Sequence, residues 1–208
     1  MDKKILAIII VVVAILAIVT SVLVLDVFTP KADFENKFMT GTLYGLYYIE
    51  ENATNTTGWE DAYIDSTNNI TYDFLAIKNS TFLIDMLKHF GMKKISSENY
   101  NGQNWDIYFL NFNDMPDLFK SYDSGYLLVT TKNDVDYIVM VSSFKVTSDT
   151  SLDSELFTSY INPLMKTITL KNAYNAPEIY KFMDISKEEF NTMVKYIDAN
   201  GWDILNKI

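Results

Sequence analysis

The sequence predicts an α+β protein: an N-terminal transmembrane helix, then an antiparallel sheet packed with helices, and finally a C-terminal helical hairpin. Three observations predict it. Residues 5–25 are apolar apart from Thr20 and Ser21, short apolar segments separated by turn residues follow, and helix-start signals come after the last predicted strand. The predicted units are an anchor (1–25), a stalk (26–40), an extracytoplasmic α+β domain (41–171) and the helical hairpin (172–208).

The N-terminal apolar run has the length of a membrane span. At about 1.5 Å per helical residue it crosses the ~30 Å hydrocarbon core of a bilayer. Lys3 and Lys4 precede it and Asp26 follows it, which predicts a cytoplasmic N-terminus with the rest of the chain outside. A cleaved signal peptide is the alternative, but its apolar core is usually ~7–15 residues and ends at a small-x-small site that residues 21–26 do not offer. We therefore expect a single-pass signal-anchor that contacts membrane lipid through residues 5–25.

Composition limits what the outer part does. The 183 residues after Leu25 suffice for one domain with its own core, and they carry 15 lysines against 26 acidic residues, a net charge of −11. Such a surface repels nucleic acid and anionic headgroups, which argues against both as partners. Cysteine is absent, so neither a disulfide framework nor a thiolate metal site is available.

Alternating or apolar segments between turn residues predict the strands. They cover residues 43–49, 59–64, 70–74, 94–98, 105–112, 126–131, 136–144 and 168–170. In the third, Ile70, Tyr72 and Phe74 share a buried face. Asn101-Gly102 is a strong hairpin signal, and the apolar run 137–141 is typical of a central strand covered on both sides.

Two helices are predicted within the domain. Ser80 or Thr81 caps the first, which stops at Gly91. Its apolar face comprises Leu83, Met86, Leu87 and Phe90. Residues 152–165 suit a longer amphipathic helix.

The last 37 residues predict a helical hairpin after a linker at 172–176. Pro177 suits a first helical position, and Ser186 with Glu189 matches a capping box. A stripe of apolar side chains follows and is the predicted partner-docking element, although packing on its own domain is the favoured use. The stripe consists of Phe190, Met193, Val194, Ile197 and Trp202.

One stretch carries a resemblance to a known fold. Residues 156–170, with the sequence LFTSYINPLMKTITL, resemble the corresponding part of the PsbP/Mog1-like fold, and the likeness extends from about Phe34 to Lys171. The organisation as a whole resembles membrane-anchored surface proteins of methanogenic archaea. The resemblance implies a scaffold used for docking to other proteins and names no ligand.

The sequence predicts no catalytic, cofactor or metal residue. His89 is the single histidine, and the helix dipole and an i,i+4 pair with Asp85 explain it. Acidic clusters at 113–117, 133–136 and 149–155 lack the spacing of a calcium loop, and turns call for Asp and Asn independently. A glycosidase-type carboxylate pair stays open, because carboxylate separation is a spatial property.

Four Asn-x-Ser/Thr sequons offer glycan acceptors outside the membrane. They begin at Asn52, Asn55, Asn69 and Asn79. Asn52 and Asn55 are favoured because they lie in a predicted loop.

The leading hypothesis is a non-enzymatic cell-surface or envelope protein that displays an acidic domain for binding or structural support. Its expected partners are membrane lipid and an envelope protein or glycan. The alternative is an anchored extracytoplasmic hydrolase that uses paired carboxylates.

Overall fold

The computed structural model describes residues 30–45, 53–54, 58–112, 123–143 and 151–202. The predicted membrane span at 5–25 lies outside these ranges. None of the helices inside them combines the length and the apolar character that crossing a bilayer requires.

The described strands form two antiparallel sheets, which together with the helices give the mixed α+β content that the sequence predicts. The strands are β1 (Lys31–Glu35), β2 (Met39–Tyr44), β3 (Ala53–Thr54), β4 (Glu60–Asp65), β5 (Ile70–Ile77), β6 (Lys93–Tyr100), β7 (Gln103–Asn111), β8 (Ser124–Lys132), β9 (Val135–Ser143) and β10 (Thr169–Leu170). The larger sheet has seven strands in the order β3-β4-β5-β9-β8-β7-β6, and the smaller has three in the order β1-β2-β10.

Two tight turns set the register of the larger sheet. Asn101 and Gly102 connect β6 to β7, and Asn133 and Asp134 connect β8 to β9, all with φ between 53° and 77°. Two consecutive residues of positive φ make the hairpin turn whose twist matches that of the flanking strands. The structure thus confirms the two hairpins that the sequence predicts.

The larger sheet is buried on both faces. Its middle strand is β9, where Ile138, Val139 and Val141 are all at most 1% exposed. Neighbouring residues of β5 point to different cores, since Phe74 belongs to one hydrophobic cluster and Leu75 to the other. This double burial is why the run 137–141 lacks polar alternation.

The first core, core 1, lies between the larger sheet and a layer made of the smaller sheet and a helical segment. Met39 and Leu43 enter it from the smaller sheet, and Trp105 and Tyr72 enter it from the larger one. The helical segment consists of a π-turn, Phe157–Ile161, and helix α2, Asn162–Thr167. The sequence predicts a single amphipathic helix here and does not reveal the π-turn. In a π-turn each backbone hydrogen bond spans one more residue than in an α-helix.

The second core, core 2, lies on the opposite face of the larger sheet, under helix α1 (Thr81–His89). Ile84 and Leu87 are its buried residues within the helix. The Ser80 side chain makes no capping hydrogen bond. Instead its backbone N–H donates to Oδ2 of Asp136 at 2.9 Å, so a side chain from β9 satisfies the N–H of the N-cap residue, and the predicted capping bond from the Ser80 hydroxyl is wrong.

The C-terminal residues continue core 2. Helix α3 covers Ile179–Phe182 and helix α4 covers Lys187–Asn200. Ser186 and Glu189 form both hydrogen bonds of the predicted capping box. Pro177 precedes α3 instead of opening it, because its carbonyl accepts the backbone N–H of Lys78 at 2.8 Å.

The predicted stalk needs a correction. Residues 31–35 form β1, which pairs with β2, because Phe34 is buried and brings an apolar contact to core 1. β2 begins at Met39, four residues before the predicted strand, and the described part of that segment ends at Gly45.

Candidate functional site

A cleft of about 510 Å³ lies between α1 and the C-terminal helices. Its walls come from residues 79–85 at the start of α1, residues 178–180 at the start of α3, and one face of α4 with Trp202. On α4 the lining positions Lys187, Asn191, Val194 and Asp198 recur every three or four residues, so they share one helical face.

Aromatic rings form the floor of the cleft. Phe82 of α1 contacts both Phe190 of α4 and Trp202, with centroid separations of 5.1 Å at interplanar angles of 68° and 47°. Tyr180 of α3 approaches Phe190 at 6.4 Å. Tilted and edge-on rings at such distances attract one another, so the floor joins all three helices in one apolar contact.

Carboxylates dominate the rim. Asp85, Glu178 and Asp198 line the cleft together with one ammonium group, Lys187. Lys88 lies 3.4 Å from Asp85 in an ion pair whose side chains are about half exposed, and such a pair contributes little. Within the described ranges Asp198 has no ion-pair partner. The rim therefore carries excess negative charge above π faces, a combination that attracts an ammonium or guanidinium group.

A short stretch of backbone pairing holds the cleft together. The backbone N–H of Ile179 donates to the Lys78 carbonyl at 3.1 Å, which forms an isolated parallel bridge between Lys78 and Glu178. Beside it, Nδ2 of Asn79 donates to the Glu178 carboxylate. One wall of the cleft is thus an extension of β5.

The structure brings together part of the predicted docking stripe. Phe190, Val194 and Trp202 line the cleft, whereas Met193 and Ile197 are not among its lining residues. Ile197 is 4% exposed and Met193 is half-buried. The stripe therefore serves both the interior of the chain and the surface of the cleft.

Sequence reasoning missed the residues that α1 and α3 contribute. Phe82 lies beside the predicted apolar face of α1, and Tyr180 lies in a four-residue helix that has too few residues for a periodic signal. The i,i+3 spacing of Phe82 and Asp85 predicts that they share one face of α1. No pattern in the sequence predicts that α4 lies opposite this face.

His89 is exposed. Its ring stacks on Trp202 at 6.3 Å with an interplanar angle of 26°. The described ion pair of Asp85 is with Lys88, at i,i+3.

The sequons fall in two groups. Asn52 and Asn55 lie outside the described residues. Asn69 and Asn79 are exposed residues of positive φ, but Thr71 of the first sequon is buried in β5 and the Asn79 amide already donates to Glu178. Glycosylation stays a prediction at all four positions.

Among the described residues, no group of three or more acidic or histidine side chains has the arrangement of a metal site. Asp136 has a structural use, because its second oxygen accepts the Thr131 hydroxyl at 2.6 Å. Residues 113–117 and 149–150 lie outside the described part of the chain.

A carboxyl group of unusual acidity lies away from the cleft. Burial, with a smaller contribution from the charge of Glu60, raises the pKa of Asp73 to about 7. Asp73 lies within β5, opposite Ala62 of β4 and Met140 of β9, and it does not line the cleft.

Comparison of the chain with protein-family models, with curated proteins and with solved structures gives no match.

Proposed function

We propose that the chain is a non-enzymatic, single-pass surface protein whose acidic α+β domain binds a lysine- or arginine-bearing segment of an envelope protein. The cleft between α1 and α4 carries the proposal. It combines an aromatic floor with three carboxylates, set against Lys187 in the lining and Lys88 beside Asp85, and the negative charge that remains favours a cationic occupant.

The anchor belongs to the same proposal. The apolar run 5–25, with Lys3 and Lys4 before it, supports an inserted helix with a cytoplasmic N-terminus. Such an anchor displays the acidic domain outside the cell. The resemblance to the PsbP/Mog1-like fold adds the expectation of a scaffold used for docking to other proteins.

The hydrolase alternative has less support. A carboxylate mechanism needs two acids of different pKa beside the same bond. Asp73, whose pKa is raised to about 7, is not part of the cleft lining. We therefore assign the cleft to binding.

A pair of double variants tests the occupant. Asp85→Asn with Asp198→Asn neutralises the rim, and Asp153→Asn with Glu155→Gln removes the same charge from an exposed loop and helix start. We expect pentalysine to bind the full chain in detergent micelles and the rim variant to weaken it about tenfold, with little change in the control. Equal losses would mean that net charge alone attracts the peptide.

Two further probes separate the other possibilities. Binding of tri-N-acetylglucosamine that Trp202→Ala abolishes would replace the peptide by a glycan as occupant. Protease added to intact cells should degrade the domain; a domain cut only after lysis would contradict the proposed orientation.

A further inference from the structure

A second, smaller cavity of about 200 Å³ lies on the other side of the larger sheet. It is formed where the β6–β7 turn meets β10, and Lys132 at the end of β8 closes one side. We call it the β10 pocket. None of its lining residues belongs to the cleft between α1 and α4.

One residue of the pocket lining, Trp105, carries a buried donor that the other described residues leave unpaired. Trp105 is 0% exposed, and its indole N–H has no hydrogen-bond partner among the described residues. The other aromatic in the lining, Tyr100, differs, because its hydroxyl donates to Oδ1 of Asn162 at 3.3 Å. A buried N–H without an acceptor is unfavourable, so an acceptor supplied from outside would stabilise the pocket.

The charge of the β10 pocket is opposite to that of the whole chain. The chain has a net charge of −10, yet no carboxylate of a described residue lines this pocket, and its one ionisable amine is Lys132. Lys132 is half-buried and makes no ion pair with another described residue. In a low-dielectric recess such an ammonium group favours a bound anion.

The walls limit the size and shape of that anion. Ile168 and Leu170 provide apolar surface, and the Asn101 amide is already occupied by the Ile168 carbonyl at 2.8 Å. A cavity of about 200 Å³ with this lining suits a compact carboxylate with a short aliphatic tail.

We propose that the β10 pocket binds a small aliphatic carboxylate, whose oxygens accept from the Trp105 indole N–H and the Lys132 ammonium while its tail contacts Ile168 and Leu170. The same chemistry is offered by a free short-chain acid and by the C-terminus of a peptide. This site is independent of the cationic cleft.

Butyrate titration of the full chain in detergent micelles tests the proposal, with the ionic strength held constant. The readout is the indole ¹H–¹⁵N resonance of Trp105, and the indoles of Trp59 and Trp202 serve as internal controls. We expect a saturable shift of the Trp105 resonance alone and no shift with butyramide, which has the same shape without the charge.

Two lysine variants provide the matched control. Lys132→Gln should weaken butyrate binding about tenfold, as loss of a charge-assisted hydrogen bond predicts, while Lys93→Gln on the exposed edge strand should leave it unchanged. A shift that does not saturate, an equal response to butyramide, or equal weakening by both variants would overturn the proposal. Saturable binding of an acetylated dipeptide with a free carboxylate, in the absence of butyrate binding, would identify a peptide terminus as the source.

Discussion

Asp73 shows how one half-buried side chain couples folding to pH. Its pKa rises from 3.8 to about 7 mainly through burial. The folded chain therefore keeps a proton on Asp73 between about pH 4 and pH 7, whereas the unfolded chain has lost it. Because the folded state binds more protons in this window, stability falls as the pH rises through it and levels off above the folded pKa.

Asp73→Asn should remove this loss. One pKa unit equals about 1.36 kcal/mol, and only part of the shift converts to stability because the side chain is partly solvated. We expect the variant to gain about 2 kcal/mol over the wild type between pH 5 and pH 8, measured by urea unfolding. Asp153→Asn, at an exposed position, should show no such gain. If the free energy of unfolding changes with pH in the same way for Asp73→Asn and the wild type, the burial argument is refuted.

At the scale of elements, α4 depends on its first turn. Ser186 Oγ accepts from the Glu189 N–H at 3.1 Å, and the Glu189 carboxylate accepts from the Ser186 N–H at 2.8 Å. Hydrogen bonding of the Glu189 carboxylate to the Ser186 side chain, and then to the Ser186 backbone N–H, lowers the pKa of Glu189, so the folded state stabilises its ionised form. The bonds of the capping box fix the start of the helix that supplies one wall of the cleft.

Ser186→Ala should destabilise the chain by about 1 kcal/mol, because it leaves a helical N–H without an acceptor. Ser186→Asp supplies another acceptor and should restore most of the loss. Thermal unfolding followed by circular dichroism measures both. If the two variants melt together below the wild type, the hydroxyl matters for a reason other than capping.

The elements that sequence reasoning predicted well have local causes. Asn101-Gly102 makes its own turn, and Ser186 with Glu189 makes its own cap, so a few neighbouring residues determine each structure. The missed features depend on distant residues. β1 needs β2 as its partner, the Ser80 N–H finds Asp136 on another strand, and Phe82 joins a site only because α4 is placed opposite it.

At the scale of the whole molecule, the C-terminal segment completes both cores. Ala173 and Ala176 belong to core 1 and Ile179 to core 2. Two short helices cannot bury an apolar stripe by themselves. Contacts with α1 and the end of β5 bury part of this stripe within the chain.

Deletion of residues 173–208 should therefore abolish cooperative unfolding. A point variant is the alternative if the truncated chain does not express. Ile179→Ala should lower the free energy of unfolding by about 2–4 kcal/mol, because a buried side chain loses its contacts. Met183 is 40% exposed in the wild type, so Met183→Ala should lower it little. Calorimetry of each variant gives the answer. A truncated chain that melts like the full one and loses a co-purifying protein would reassign the segment to partner binding alone.

The bridge between Lys78 and Glu178 also sets a time order. Asn79 and Glu178 are 99 positions apart in the chain, so the end of β5 at Lys78 leaves the ribosome long before the segment that pairs with it exists. The long-range contact cannot form before Glu178 has been synthesised. Until then Ile77, buried in the folded protein, lacks the cover of Ile179, which belongs to the same core, and the incomplete domain is exposed to aggregation.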